Sequence, residues 1–143
     1  MPTATVRWVT QQQFVGMDGG RHAVVLSGDD KAQGMRPSEL LLTALAGCSA
    51  VDVVAIMKKK RKPLCFLEVA VDAQRDPDPP WPYRRIHLTY TVAGPNLTQK
   101  AVEQAVSLSM EKYCSVAATV RGVADITTAI EILAEADHDA RAI

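Results

Sequence analysis

Cys48, Cys65, Cys114 and Asp52 are the residues of this 143-residue chain whose types and positions point to chemistry. A thiolate is a nucleophile and a metal ligand, and an exposed one climbs an oxidation ladder that starts at sulfenic acid. Cys48 stands in the middle of LLLTALAGCSAVDVVAIMKKKRK, residues 40–62. On a helix its same-face neighbours are Ala44, Leu45, Val51 and Asp52. A cysteine on such a surface is an ordinary core residue unless something polar meets it. Asp52 supplies that condition, because a carboxylate in a buried helix must be paired or hydrogen-bonded. Ala44 and Gly47 are small enough to let another backbone or a substrate come close. Both readings of Cys48, packed or reactive, stay open at this point.

Cys114 sits in Tyr113-Cys114-Ser115, where one helical segment gives way to another. Free N–H groups at a helix start favour a thiolate there; a cysteine at a turn without a role is the competing reading. Cys65 lies beside Leu67 and Val69 on the inward row of a strand, where a thiol behaves as a small buried hydrophobe. Metal binding finds no template. The cysteines are 17 (48 to 65) and 49 (65 to 114) residues apart, there is no C-x-x-C, and His22, His87 and His138 are dispersed. Nor is there a G-x-S-x-G, a phosphate-cradling glycine loop or a dinucleotide fingerprint. No cofactor is expected.

The elements that must position these thiols follow from periodicity. Ala4, Val6 and Trp8 alternate with polar residues as in a half-buried strand. Strands are expected at 14–17 and 22–26, joined by Asp18-Gly19-Gly20. After a polar loop, Pro37 suits the first turn of a helix that runs to about Arg61, where Pro63 stops it. Lys58, Lys59, Lys60 and Arg61 then complement its macrodipole. A strand pairs Cys65, Leu67, Val69 and Val71 on one face, and the next has Ile86, Leu88, Tyr90 and Val92. Between them RDPDPPWPYR, with four prolines, is a stiff loop displaying Trp81. Asn96 and Gln99 resemble a capping box. The helix behind it carries the stripe Ala101, Val102, Ala105, Val106, Leu108 and Ser109 and ends near Lys112. A short helix 116–120 and a strand with Ile126, Thr128, Ile130 and Ile132 complete the order βββ-α-ββ-α-α-β. Hairpins rather than crossovers make this α+β with mainly antiparallel sheet, one domain over 1–143 with 134–143 a frayed tail.

Sixteen basic residues balance sixteen acidic ones, and the pI is about 6.8. This excludes a basic footprint for nucleic acid. Residues 40–57 reach the length of a membrane span. Asp52 within them costs roughly 2.5–3.5 kcal/mol on insertion scales, so a helix buried in a soluble protein is expected and no membrane partner. The N-terminus has no apolar stretch after a positive start, which points to the cytoplasm, where structural disulfides are rare. A 48% apolar fraction suggests that some apolar surface is hidden in an oligomer.

Residues 36–61, RPSELLLTALAGCSAVDVVAIMKKKR, followed by MEKYCSVAATV at 110–120, resemble the OsmC/Ohr family of hydroperoxide reductases, in its OsmC-like (YhfA-type) branch. The resemblance implies an intertwined homodimer, sheets of both subunits wrapped around long central helices, with active sites at the interface. It implies Cys48 as the peroxidatic thiol and Cys114 as the resolving one, a small-molecule organic hydroperoxide as substrate and an external dithiol as reductant. In the family pattern an arginine of the N-terminal sheet activates the thiol, held by a glutamate just after the helix-opening proline. Arg21 is the candidate for that arginine, with Arg36 second. Ser38 occupies the glutamate position, and Glu39 stands one residue later. A cysteine midway along a helix is expected to need such a cation, and Asp52 one turn away would raise its pKa unless paired. The alternative is a non-catalytic dimer that binds a small apolar or acyl ligand at the same interface.

Overall fold

The structure, a computed structural model, describes residues 1–31 and 33–134. The chain is α+β and groups into two compact units, which meet in sequence between Thr43 and Ala44.

In the first unit, β1 (Ala4–Thr10), β2 (Gln13–Asp18) and β3 (Ala23–Ser27) form an antiparallel sheet in that order. The Asp18 carboxylate fixes the turn between β2 and β3 by accepting the His22 N–H at 2.9 Å. Arg21 adopts φ 68° there. β1 has the alternation of a half-buried strand but is exposed along its whole length, with Trp8 at 65%. It is an edge strand, and alternation assigns side chains to faces without supplying a layer to cover one. The loop after β3 is tied back by backbone bonds between Met35 and both Val25 and Ser27. Gly34 lies so near the Leu26 backbone that an added Cβ would come within 2.8 Å of it. The unit ends in the first turns of α1 (Pro37–Lys59).

The second unit holds the rest of α1, β4 (Phe66–Arg75), β5 (Tyr83–Ala93), α2 (Gln99–Leu108), one π-helical turn (Ser109–Tyr113), α3 (Ser115–Val120) and β6 (Asp125–Ile132). The sheet order is β4-β5-β6. β4 and β5 are antiparallel, but β5 and β6 run parallel. The last connection is therefore a crossover through the helices rather than a hairpin, as parallel pairing requires. The loop before β5 displays Trp81 at 51% exposure.

Several expectations are corrected here. Thr98, not Asn96, caps α2: its hydroxyl accepts the Ala101 N–H at 3.2 Å, while Asn96 takes φ 60° in the preceding turn. Cys65 falls one residue before β4 and is exposed, not core. The all-round apolarity of α1 predicts burial on every side. Its buried stripe is instead Leu45, Ser49, Val53 and Met57, at helical spacings of four, while Val51 is 71% exposed. Uniform apolarity carries no information about which face meets the core. α1 ends in a Schellman-type closure, with bonds Lys62 N–H to Met57 O and Arg61 N–H to Lys58 O around Arg61 at φ 59°. The tail expected to fray lies, from residue 135 on, outside the described residues.

The core of the second unit is built on β5. Ile86, Leu88, Tyr90 and Val92 are essentially fully buried with Leu45, Val53, Met57, Val102 and Ala105. Burying side chains of this size contributes about 1.5–3 kcal/mol each, enough to fix where α1 and the π turn must lie.

Candidate functional site

Two thiols 66 residues apart in sequence (48 to 114) meet in the second unit. Cys48 is half-buried at the middle of α1, and Cys114, 3% exposed, is the N-cap of α3. They are close enough that each thiol shifts the pKa of the other. The Ser115 hydroxyl lies 4.0 Å from the Cys48 sulfur. Around each sulfur the forces differ. Burial pushes the Cys48 thiol up, but the N–H groups of Val116 and Ser115, the Cys114 thiol and the Ser115 hydroxyl outweigh it, and the pKa falls below the usual thiol value. Burial dominates at Cys114. The N–H groups of Ala117, at 3.4 Å, and of Val116 oppose it, while the neighbouring Cys48 adds to the rise, and the thiol is pushed up to about 11. At neutral pH Cys114 is thus a thiol able to donate its hydrogen to a Cys48 sulfur biased toward thiolate.

This reverses one expectation. Position in the sequence allots the free N–H groups at the start of α3 to Cys114, whereas that of Ser115 favours the Cys48 thiolate and that of Val116 acts on both thiols. Mid-helix N–H groups are consumed by the i−4 bonds of their own helix, so Cys48 draws its donors from another element. Periodicity could not reveal that pairing, which rests on how α1 packs against the α2–π–α3 run.

Asp52 is accounted for as well. Ser109 Oγ lies 2.9 Å from Asp52 Oδ2 and 2.9 Å from Ser49 Oγ, and Ser49 Oγ lies 2.6 Å from the Tyr90 hydroxyl. Ser49, Ser109 and Tyr90 are fully buried. A hydroxyl has one hydrogen. When Asp52 is a carboxylate, it takes the hydrogen of Ser109, Ser49 donates to Ser109, and Tyr90 donates to Ser49. Burial raises the Tyr90 pKa, with the Ser49 hydroxyl opposing and the charges of Cys114 and Asp52 adding to the rise. The phenol therefore keeps its proton for this chain. Asp52 is not among the main influences on Cys48. Asp52, a carboxylate in an apolar helix, was the sequence signal for this network; Ser109, Tyr90 and Ser49 gave none.

Arg21 and Glu39 belong to the first unit. Arg21 is exposed at the hairpin turn and Glu39 is exposed in the first turn of α1. Arg36 is committed to its own loop, through Gly28 O at 2.6 Å and Asp30 at 3.0 Å. Among the described residues no group of three or more His, Cys, Asp or Glu side chains is arranged to hold a metal ion. A cleft of about 560 Å³ lies elsewhere in the second unit, lined by Val106, Met110, Ile126, Ile130 and Arg121 among others. Arg121 donates to the Met110 carbonyl. A Cβ added at Gly47, one residue from Cys48, would meet nothing within 4 Å.

The sequence matches the profile of the OsmC-like protein family over residues 28–129. It is 37% identical over 131 residues to protein YhfA of Escherichia coli K12, a match covering 92% of this chain and 98% of YhfA. A hypothetical protein from Aquifex aeolicus VF5 superposes with a TM-score of 0.85 at 30% identity, covering 94% of this chain and 98% of that one. The organic hydroperoxide resistance protein OhrB of Bacillus subtilis shares the fold alone, with a TM-score of 0.60 at 15% identity over 93% of this chain and 98% of OhrB.

Proposed function

This chain belongs to the OsmC-like family, which includes hydroperoxide resistance proteins, and we propose that it is itself a thiol-dependent peroxidase for organic hydroperoxides. One observation carries the reading: two free thiols near enough to shift each other's pKa, Cys48 within 4.0 Å of the hydroxyl of Ser115, the residue after Cys114, with Cys48 biased toward thiolate and its neighbour kept protonated.

The Cys48 thiolate attacks the distal oxygen of the hydroperoxide. The O–O bond breaks, the alkoxide leaves with a proton as alcohol, and Cys48 becomes a sulfenic acid. The Cys114 sulfur then attacks the Cys48 sulfur. The S–O bond breaks, the Cys114 proton departs with the hydroxyl as water, and a disulfide forms. An external dithiol returns the pair to two thiols. Open space beside Gly47 leaves room for the peroxide's approach to Cys48. Arg21 enters by the family pattern as the activating cation, with Glu39, one residue past the glutamate position that Ser38 fills, as its candidate carboxylate partner. The working form is a homodimer in which the second subunit covers the outward face of α1, where Val51 and Val54 are exposed.

Reduced protein treated with one equivalent of cumene hydroperoxide should form the Cys48–Cys114 disulfide. In Cys114→Ser the same treatment should leave a dimedone-reactive sulfenic acid at Cys48. A Cys48 that remains a free thiol under excess peroxide overturns the reading.

A further inference from the structure

Peroxidase chemistry as proposed needs the second thiol held against the first, and the hydroxyl chain beside them does more than give Asp52 a hydrogen-bond donor. Ser109 occupies a junction. Its hydroxyl reaches Ser49, the residue after Cys48, and Asp52, one turn further along α1. Its carbonyl accepts the Cys114 N–H at 2.8 Å, closing the π turn. The same residue therefore grips the helix that carries one thiol with its side chain and the backbone of the other thiol with its main chain. Tyr90 secures the arrangement from β5 through the 2.6 Å contact to Ser49, deep in the core. Helix, turn and strand are tied at one point within a few bonds of both sulfurs.

We infer that Ser109, anchored by Asp52 and by the Ser49–Tyr90 pair, is a positioning residue for the reaction between the two thiols, setting how often Cys114 stands within reach of Cys48. It touches neither sulfur through its side chain. Its effect is on effective concentration, the quantity that orientation controls in an intramolecular step. This inference rests on the two-thiol mechanism proposed above, but its measurement requires no peroxide. Equilibration of the full-length protein in glutathione redox buffers exchanges two protein thiols and one glutathione disulfide for the protein disulfide and two glutathione thiols. The equilibrium ratio is the effective concentration of Cys114 toward Cys48.

Asp52→Ala removes the acceptor on which the chain ends, while Asp52→Asn keeps an acceptor oxygen and removes the charge. The Ala variant should lower the effective concentration by about tenfold or more, with the Asn variant within about threefold of the parent. The alkylation rate of Cys48 in a Cys114→Ser background should stay within about twofold, which separates positioning from activation. Ser109→Ala should match or exceed the Asp52→Ala loss; should it fail to fold, the Asp52 pair decides alone. An unchanged ratio in Asp52→Ala, or equal losses in the Ala and Asn variants, overturns the inference. A protein whose glutathione ratios follow this pattern, yet whose Cys48 ignores cumene hydroperoxide, retains the positioning device and loses the peroxidase assignment.

Discussion

α1 and the α2–π–α3 run each carry one thiol, and they differ in regularity. α1 continues without interruption for 23 residues. At its midpoint every backbone N–H is engaged within the helix, so Cys48 gains nothing from its own element. The other run is broken twice, first by the π turn at Ser109–Tyr113 and then at Cys114, whose extended backbone (φ −75°, ψ 103°) starts a new helix. Breaks leave donors unspent. Those of Ser115 and Val116 lower the Cys48 pKa, so the irregular element activates the thiol of the regular one. Buried by the same packing, Cys114 is held as a thiol.

Removing the thiol itself has the largest effect. On the peroxidase reading, Cys48→Ala should lower cumene hydroperoxide consumption on the order of a thousandfold or more, measured as residual peroxide in the presence of a dithiol. The two faces of α1 come next. Met57→Ala on the buried stripe should destabilise the protein by about 2–5 kcal/mol in urea unfolding. Val51→Lys on the outward face should shift the species from dimer to monomer in light scattering if a second copy covers that side; an unchanged mass removes the dimer from the proposal.

Smaller and more telling is Ser115→Pro. Proline is tolerated at the first position of a helix, and the extended Cys114 backbone suits a following proline. The substitution deletes one N–H and the hydroxyl near Cys48, and should raise the midpoint of its alkylation-versus-pH curve. Ser115→Ala, which keeps the N–H, should raise it less. The sign is fixed by the site. Donors favour the thiolate, so folded Cys48 reacts at lower pH than an ordinary thiol, and unfolding in urea should move its midpoint upward. Cys114 should resist alkylation until the pH approaches its own value of about 11. Arg21→Ala should produce the smallest change, an upward move of the Cys48 midpoint if the arginine acts as proposed. An unchanged profile leaves the α3 donors as the whole of the activation.

Much of this was legible in the sequence. The strand order, the extent of α1 and the break at Cys114 follow from alternation, from the proline at each end of α1, and from the change of pattern after Lys112. Asp52 announces a polar partner but not which one, and Ser109, within the stripe that starts at Ala101, reads there as one more packing residue. What could not be read was everything set by packing between elements. Nothing in the order of residues says that α3 points its N–H groups at α1, that Tyr90 reaches Ser49 across 41 residues, or that β6 returns parallel to β5. Burial misled in two places for the same reason: β1 and the outward face of α1 are apolar without being covered by their own chain.

A π turn takes about one residue more than an α turn to advance along the axis. The turn thus absorbs one residue, and a length change that it did not absorb would swing the downstream chain by roughly 100°, carrying Cys114 to another side. The meeting of the two sulfurs is thus encoded in a count. Insertions or deletions that the turn cannot absorb, more than substitutions, are the changes by which a descendant of this chain would part with its second thiol and keep its architecture.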